Sequence, residues 1–472
     1  MLNIEIPELQ NPGELLLWPN GTLGWDHPPL FLPQPLLLLR SHPSYGTRVE
    51  TPQGQLVRES SDSSYTPLQW TEDILRSLHN QGGTTGKKPF RRPSFPLAAT
   101  AFNYEYGRNF SPHTHCFPSH KSAPLDEVFI SFHSCGFALK DNQWVLVGNK
   151  PSSRFHWYDW KIDEKTAHWP KNNRVSESNT PKNAAKSTPT TEAKIQCYVG
   201  FEAYKGMIET IQQHLAAGDI YQANLTVPFI GQTHQTPDEL FRKGIELGGE
   251  RYAAHFRTTQ GSHISFSPEL LLRRWGRRVV TKPIKGTRKA ESTLNQSKQT
   301  HEAWSEKDRA EHVMIVDLER NDLGRLCHFG SVRVDPLMEV NTHGPIQHME
   351  SSVQGTLRTE ESLKNLLRAV FPGGSVTGAP KKRALEILGK IEKSPRGIYC
   401  GALGWVDHYL DVELNLPIRT ATFLPDGRFQ LSAGGGIVAD STPESEWQEL
   451  HDKLEFFASL LQLEIKPTIE SQ

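Results

Sequence analysis

The sequence predicts an α+β fold, with mostly antiparallel strands and helices built from separate stretches of chain. Three patterns support this prediction. Short apolar runs bounded by turn residues occur at 35–41, 126–134 and 143–149 and are typical of strands. Helical periodicity passes into an apolar strand between 197 and 226, and the stretch 403–440 alternates strands and turns as a meander does.

A segment with almost nothing to bury divides the chain. Residues 164–195 are rich in Ser, Thr, Asn, Lys and Pro, which is typical of a flexible linker or a long surface loop. We therefore expect an N-terminal region over 1–163, a domain over 196–464 that holds nearly all interpretable motifs, and a short tail over 465–472.

The charge balance and the cysteine pattern exclude several functional classes. The 472 residues contain 52 Lys and Arg against 53 Asp and Glu, so no global field attracts nucleic acid or an anionic membrane. No run of about 18 apolar residues occurs, and the first residues lack a signal-peptide pattern, so we expect a soluble cytoplasmic protein. Five widely spaced cysteines without a CxxC pair predict neither a disulfide framework nor a cysteine-based zinc site.

One histidine-rich stretch could be read as a metal site. His113, His115, Cys116 and His120 lie close together in sequence, but the prolines among them indicate a loop. Metal sites need ligands that converge from a rigid frame, so we favour a polar surface loop.

An acidic helix is predicted near the end of the chain. Thr442 can cap it, with Pro443 at its first position. Glu446, Glu449 and Lys453 then follow at i, i+3 and i+7 on one face. That face can present two carboxylates and an ammonium together.

A second acidic pair, Asp308 and Glu311, lies at i and i+3 on another predicted helix. Carboxylates from two facing helices are ligands that Mg²⁺ accepts, with water or substrate oxygens completing its octahedron. From spacing alone, a solvated helix face is the favoured interpretation of each cluster.

Two glycine-rich stretches could bring backbone N–H groups close to an anion. Gly373, Gly374 and Gly378 precede a helix that opens near Pro380, and Gly434–Gly436 follow a predicted strand. The first stretch has the glycine spacing of a phosphate-binding P-loop but lacks its lysine, so that interpretation fails. Both stretches could also be simple tight turns.

Lys285 and Glu269 are candidate catalytic residues whose roles depend on burial. A buried lysine with a depressed pKa would be a nucleophile, although most lysines are solvated surface charges. Glu269 lies beside an apolar strand, and in an apolar pocket its pKa would rise, which suits a general acid. Sequence spacing shows neither residue to be buried.

The order of motifs resembles the chorismate-utilising enzymes, which include anthranilate, aminodeoxychorismate, isochorismate and salicylate synthases. The resemblance is carried by GDIYQANLT, SFSPELLL, KPIKGTR, KDRAEHVMIVDLERNDLGRLC, FPGGSVTGAPKKRALEIL, YCGALGW, IRTATF and SAGGGIVADSTPESEWQELHDKL, and more weakly by FNYEYGRNF in the N-terminal region. The resemblance implies two antiparallel sheets packed as a sandwich surrounded by helices. It also implies chorismate as substrate, Mg²⁺ as cofactor, an anthranilate-synthase-like region over 1–163 and a chorismate-binding catalytic domain over 196–464.

Two positions indicate a branch of this family. The PIKGT segment, with Lys285, is similar to that of aminodeoxychorismate synthases, where several other members carry alanine. There the lysine is understood to attack C2 of the chorismate ring as the 4-hydroxyl leaves, and ammonia then adds at C4. The hydroxylating branches use a lysine as water-activating base where this chain has Gln222, which argues against isochorismate and salicylate synthesis.

The resemblance also implies roles for the other candidate residues. Glu269 would be the general acid for the departing hydroxyl. The metal-binding set would consist of Glu311 and Glu449 as direct ligands with Glu446 and Asp308 close by. The substrate-binding set would be Thr287, His348, Tyr399, Arg419, Gly434, Gly435, Gly436, Lys453 and Gln222. Within it, Arg419, Tyr399 and the glycines would receive the enolpyruvyl carboxylate, and Thr287 and His348 would line the ring.

The chain contains no recognisable glutaminase motif. We therefore expect it to use ammonia supplied by a separate glutamine amidotransferase subunit, on the path to 4-aminobenzoate. The main alternative is anthranilate synthase component I, which shares the fold, the metal and chorismate. A non-catalytic binding module would predict damage at Lys285, Glu269 or the glutamate clusters, and the sequence has none.

Overall fold

A computed structural model describes residues 7–19, 29–33, 35–60, 66–81, 95, 97–110, 126–133, 135–140, 143–148, 156–157, 160–161, 194–249, 251–289, 304–343 and 346–463. The His113–His120 stretch, most of the 164–195 segment and the 465–472 tail lie outside the described residues. The boundaries drawn for these regions therefore remain predictions.

The helices begin where the sequence supplies caps. Ser305 and Thr442 accept hydrogen bonds from backbone N–H groups of their own helices, and Pro443 occupies the first position of the second of these, as expected. The described helices are α1 Pro67–Gln81, α2 Phe201–Ala216, α3 Pro237–Glu246, α4 Glu306–Gly324, α5 Leu363–Val370, α6 Lys381–Ile391, α7 Pro443–Asp452 and α8 Glu455–Leu461. Among them, none is long and apolar enough to cross a membrane.

The strands include the three apolar runs predicted in the N-terminal region. The described strands are β1 Leu15–Pro19, β2 Leu30–Leu32, β3 Leu37–His42, β4 Gly46–Glu50, β5 Leu56–Ser60, β6 Leu97–Phe102, β7 Val128–His133, β8 Cys135–Lys140, β9 Gln143–Gly148, β10 His156–Trp157, β11 Trp160–Lys161, β12 Lys194–Cys197, β13 Gln222–Gln232, β14 Tyr252–Arg257, β15 Ser262–Ser267, β16 Leu270–Trp275, β17 Arg278–Lys282, β18 Ile284–Lys289, β19 Arg333–Val334, β20 Glu339–His343, β21 Ile346–Glu350, β22 Val353–Thr356, β23 Gly378–Ala379, β24 Ala402–Asp407, β25 Val412–Asn415, β26 Thr420–Phe423 and β27 Arg428–Ile437.

Two large antiparallel sheets organise these strands. The first sheet runs β12-β13-β27-β26-β15-β14-β1-β2-β8-β9, with β23 beside β13. The second runs β19-β22-β17-β16-β25-β24-β6-β7-β3-β4-β5, and a small sheet has the order β18-β21-β20. Strands from both sides of the 164–195 segment are neighbours in both large sheets, as β1 with β14 and β6 with β24 show.

The two large sheets pack face to face. An apolar core contains residues of both, and the rings of Phe129 and Phe256 meet across it with centroids 5.5 Å apart. Helices α2, α3, α7 and α8 cover the first sheet, and α1, α4 and α5 cover the second. The predicted α+β sandwich surrounded by helices is therefore confirmed.

The strands over 403–440 form a meander that differs from the expected one. β24 and β25 belong to the second sheet, whereas β26 and β27 belong to the first. The chain therefore crosses between sheets at residues 416–419. Alternating apolar patterns identify strands but not the sheet that each one joins.

Candidate active site

An open cleft of about 1370 Å³ lies where several strands pass between the sheets. Most of the predicted site residues line it, although they come from distant parts of the sequence. These residues are Glu269, Lys285, Asp308, Glu311, His348, Tyr399, Arg419, Gly434, Gly436, Glu446, Glu449 and Lys453. The cleft is thus one candidate site for the whole set.

Three predicted residues do not line the cleft directly. Gln222 and Gly435 adjoin lining residues, since a Cβ on Gly436 would lie 2.1 Å from Gln222 Nε2 and one on Gly435 would lie 2.8 Å from Glu446 Oε2. For Thr287 only the backbone is described, and it pairs with His348 across β18 and β21.

Glu269 lies where the chain crosses from β15 of the first sheet to β16 of the second. Its backbone oxygen accepts a hydrogen bond from the Leu416 N–H at 3.0 Å, which places it beside the other crossing. Its buried side chain accepts a bond from Ser375 Oγ at 2.6 Å. Burial, reinforced by the nearby Glu319 carboxyl, raises the pKa of Glu269 well above its usual range. Burial thus favours the protonated form of the carboxyl.

Lys285 projects from β18 at a bulge in its pairing with β21. Its Nζ lies 2.7 Å from Glu311 Oε2 on α4, and its side chain is only 22% exposed. The next residue, Gly286, has φ +75°, and a Cβ there would come within 2.3 Å of the Trp304 ring. The local backbone thus directs the Lys285 amine into the cleft.

Gly434–Gly436 lie within β27, so the expectation that they follow a strand or form a turn is wrong. Their pairing with β13 overrides the low strand propensity of glycine. The absent side chain at Gly436 makes room for two neighbours, because a Cβ would lie 2.1 Å from Gln222 Nε2 and 3.0 Å from Lys285 Nζ. These glycines therefore allow functional groups to approach the strand.

The α7 face carries the predicted carboxylates. Ser441 Oγ donates to the buried Glu446 at 2.7 Å, and burial raises the pKa of Glu446. Lys453 Nζ lies 2.7 Å both from Glu449 Oε1 and from the Gly434 carbonyl oxygen. The charge of Lys453 is the main reason why the pKa of Glu449 is lowered, so that carboxylate stays ionised.

The α4 face brings its own acidic pair to the cleft. Glu311 pairs with Lys285, whereas Asp308 accepts a bond from Ser305 Oγ at 2.6 Å at the start of the helix. Lys307 also lines the cleft. Its charge contributes to the lowered pKa of Glu449 and partly offsets the rise in the pKa of Glu446. The spacing of Asp308 and Glu311 on one helix is as predicted.

The carboxylates of the described residues do not converge on a single metal position. Within the part of the chain that the structure describes, no three acidic, histidine or cysteine side chains lie close enough to hold a metal ion. Glu311 and Glu449 are instead paired with Lys285 and Lys453. Their chemistry still fits Mg²⁺, which prefers a few carboxylate oxygens together with water and substrate.

Arg419, Tyr399 and His348 line the remaining wall. Arg419 has φ +49° at the crossing between β25 and β26, and its carbonyl oxygen accepts the Phe266 N–H at 3.0 Å. Tyr399 is buried, which raises its pKa well above the usual range, so its hydroxyl stays protonated. His348 is also buried, with Nδ1 3.4 Å from the Gly286 carbonyl oxygen.

Ser375 and Lys307 are site residues that sequence reasoning missed. Ser375 lies in the short helical turn Gly374–Val376, within the glycine-rich stretch that had been interpreted as an anion site or a tight turn. Its bond to Glu269 joins residues 106 positions apart, so spacing gives no sign of it. Lys307 lies four residues before Glu311 on α4 and could have been noted as part of the same helix face.

Comparison with known proteins identifies the family. The chorismate binding enzyme family matches residues 36–459. The chain belongs to this family. Aminodeoxychorismate synthase component 1 of Klebsiella aerogenes is 33% identical over 387 residues, covering 81% of each chain.

Other relatives match over a shorter length. Aminodeoxychorismate synthase component 1 of Bacillus subtilis is 37% identical over 254 residues, 53% of this chain and 54% of that protein. Anthranilate synthase component 1 of Aquifex aeolicus is 38% identical over 254 residues, 53% of this chain and 51% of that protein. The chain thus spans about half the length of these two relatives.

Solved structures agree on the fold. Anthranilate synthase component I from Streptococcus pneumoniae superposes with a TM-score of 0.69 at 20% identity, covering 97% of this chain and 94% of that one. The isochorismate synthase DhbC from Bacillus anthracis gives 0.65 at 18% identity, covering 96% and 97%. At these identities the likeness establishes the fold and not the reaction.

Proposed function

We propose that this chorismate-binding enzyme replaces the 4-hydroxyl of chorismate with ammonia, giving 4-amino-4-deoxychorismate for 4-aminobenzoate and folate synthesis. The proposal is supported by relatives from Klebsiella aerogenes and Bacillus subtilis that are named aminodeoxychorismate synthase component 1. The observation that carries the proposal is the position of Lys285, whose amine projects into the cleft between Glu311 and the Gly436 backbone.

Glu269 supplies the proton that the departing hydroxyl needs. Its raised pKa favours the protonated carboxyl, and a hydroxyl leaves readily only as water. The Ser375 hydroxyl donates to Oε1, which leaves Oε2 available to carry the acidic proton. Ser375 therefore orients the acid as well as burying it.

Lys285 divides the substitution into two steps. Only the deprotonated amine is a nucleophile, so Nζ first releases its proton to water. It then forms a bond to C2, both ring double bonds shift toward C4, and the C4–O bond breaks as Glu269 protonates the oxygen. Ammonia next forms a bond to C4 and releases a proton, both double bonds shift back, and the C2–N bond to Lys285 breaks. Gln222, beside the same glycine, is an amide with no basic nitrogen, so it cannot activate water.

Two carboxylates of chorismate need positive partners. Arg419 offers a guanidinium fork, and Tyr399 lines the same cleft. We assign Mg²⁺ to Glu311, Glu446 and Glu449, with Asp308 at the rim. When bound, Mg²⁺ would neutralise the second carboxylate of the substrate and hold it in place.

The ammonia would come from a glutamine amidotransferase subunit. The relatives are named as a first component, which implies a second one for those proteins. For this chain the partner is part of the proposal. Ammonium salt should replace it in the test tube, since only the free amine reacts.

Anthranilate synthase component I is the second candidate function, favoured by relatives of that name at 38% identity. Product analysis separates the two. The protein is incubated with chorismate, Mg²⁺ and ammonium, with and without an aminodeoxychorismate lyase, and products are followed by chromatography and fluorescence. We expect 4-aminobenzoate only when the lyase is present. Anthranilate as the main product without the lyase would refute the proposal.

A variant pair sharpens this test. Lys285→Ala should lower 4-amino-4-deoxychorismate formation by about 100-fold, because it removes the nucleophile. Lys390→Ala, at an exposed position on α6, removes the same charge away from the cleft and should leave the rate unchanged. Equal rates for the two variants would refute the nucleophilic role.

A further inference from the structure

One buried carboxylate, Glu350, links the small sheet to both large sheets. It ends β21 of the small sheet and is the cross-strand partner of Ile284, the residue just before Lys285. Its Oε2 accepts a bond from Arg251 Nη1 at 2.5 Å, and Arg251 directly precedes β14 of the first sheet. Its Oε1 lies 3.4 Å from Lys282 of β17, in the second sheet.

The Arg251–Glu350 pair is removed from solvent. The side chains are 0% and 3% exposed, and Asn341 Nδ2 of β20 adds a contact to Glu350 Oε1 at 3.4 Å. Two buried charges cost desolvation free energy that a pair only partly returns. Apolar residues would stabilise this position at least as well, so stability alone does not account for the pair.

The pair lies where the small sheet adjoins the second sheet. There the chain passes from β17 into β18 and from β21 into β22. The Ser351 N–H donates to the Pro283 carbonyl oxygen at 3.2 Å between these two connections. Among the described strands, β18 pairs with β21 alone, and α4 packs against β18. Contacts at the base of the small sheet therefore help to set its orientation toward the cleft.

We propose that Arg251 and Glu350 are positioning residues: their buried ion pair fixes the small sheet against the first large sheet and so sets where the Lys285 amine stands in the cleft. This inference rests on the proposed function of Lys285. Neither residue lines the cleft. Its effect is on the geometry of attack, where a misplacement of about 1 Å can cost about 100-fold in rate.

The test compares single and double variants. Arg251→Met and Glu350→Met each leave one buried charge without its partner and should lower both Tm and kcat. The double variant Arg251→Met/Glu350→Met removes both charges, so Tm should return close to wild type. We expect its kcat to stay about 10- to 100-fold low, with KM for chorismate within about threefold, since Arg419 and β27 lie on other elements.

Two further variants serve as controls. Arg251→Lys keeps the charge and should recover most of the kcat lost in Arg251→Met. Arg40→Met breaks an ion pair with the buried Asp126 in the N-terminal region, away from the cleft, and should lower Tm without changing kcat. A double variant with wild-type kcat would overturn the proposal.

A second readout does not depend on the reaction. Amide hydrogen exchange of the peptide covering 284–289, measured without substrate, should be about 10-fold faster in the double variant and unchanged in Arg40→Met. Unchanged exchange in the double variant would overturn the positioning role. If the wild-type enzyme makes no 4-amino-4-deoxychorismate, the proposed function fails, while this exchange measurement still decides the inference.

Discussion

The two walls of the cleft differ in how their groups are held. The strand wall, made of Glu269, Lys285, Arg419 and Gly434–Gly436, lies where backbone crosses between sheets or bulges. The helix wall, made of Asp308, Glu311, Glu446 and Glu449, projects from α4 and α7.

On the strand wall the key acid is buried and bonded to a second side chain, whereas on the helix wall two carboxylates are paired with lysines. Glu449 is 53% exposed, in contrast to the 3% exposure of Glu269. The strand wall is therefore preorganised for proton transfer and attack. The helix wall holds charges that can exchange partners, which suits metal binding.

The largest effect should follow from removing the acid of the strand wall. Glu269→Gln keeps the size of the side chain and can still accept from Ser375, but it cannot release a proton. We expect kcat to fall by about 1000-fold, within the range for a general acid. Chorismate binding, measured by calorimetry, should stay close to wild type. A kcat within a few-fold of wild type would exclude Glu269 as the acid.

A change on the helix wall should alter metal dependence instead. Glu449→Gln removes one carboxylate charge, so the Mg²⁺ concentration for half-maximal rate should rise about 10-fold or more. At saturating Mg²⁺ the rate should largely recover. Glu444→Gln changes a glutamate of the same helix that does not line the cleft, and it is the matched control. The same Mg²⁺ titration for both variants would contradict the assignment.

Loss of the Ser375 hydroxyl should have a smaller effect. Ser375→Ala removes one hydrogen bond to Glu269, and a bond of that kind contributes about 1 kcal/mol, or about fivefold in rate. The same bond lowers the pKa of Glu269, so its loss should raise that pKa further and shift the alkaline limb of the pH profile to higher pH. A loss as large as that of Glu269→Gln would mean that Ser375 contacts the substrate itself.

The two walls should also respond to pH with opposite signs. The pKa of Glu269 is raised in the folded protein, so wild type loses stability as pH rises above the ordinary carboxyl range. Glu269→Gln should therefore have a higher Tm than wild type at pH 8 and little difference at pH 4. The pKa of Glu449 is lowered, so Glu449→Gln should be less stable at pH 7 and equal near pH 3. Thermal unfolding in EDTA measures both, and shifts of the same sign would contradict the comparison.

Local signals made much of each wall predictable. Caps and spacing predicted α7 and the acidic pairs on α4 and α7, because helix periodicity and capping act within a few residues. The apolar runs predicted β3, β7 and β9. The motifs then grouped the candidate residues through the family resemblance, and most of them line one cleft.

The rest depends on contacts between distant residues. The sequence around Leu416–Arg419 does not reveal that the chain changes sheets there, since both sheets accept the same alternating pattern. The burial of Glu269 and its bond to Ser375 follow from that crossing. The glycines of β27 gave no strand signal of their own and are held by β13.

The proposed mechanism requires a covalent bond between Lys285 and the chorismate ring. The enzyme is mixed with chorismate and Mg²⁺ without ammonia, quenched in acid, digested and examined by mass spectrometry. We expect the peptide containing Lys285 to gain the mass of chorismate less one water, and Lys285→Ala to show no adduct. An unmodified Lys285 peptide in a sample that goes on to form 4-amino-4-deoxychorismate when ammonia is added, or an adduct on another lysine, would contradict it.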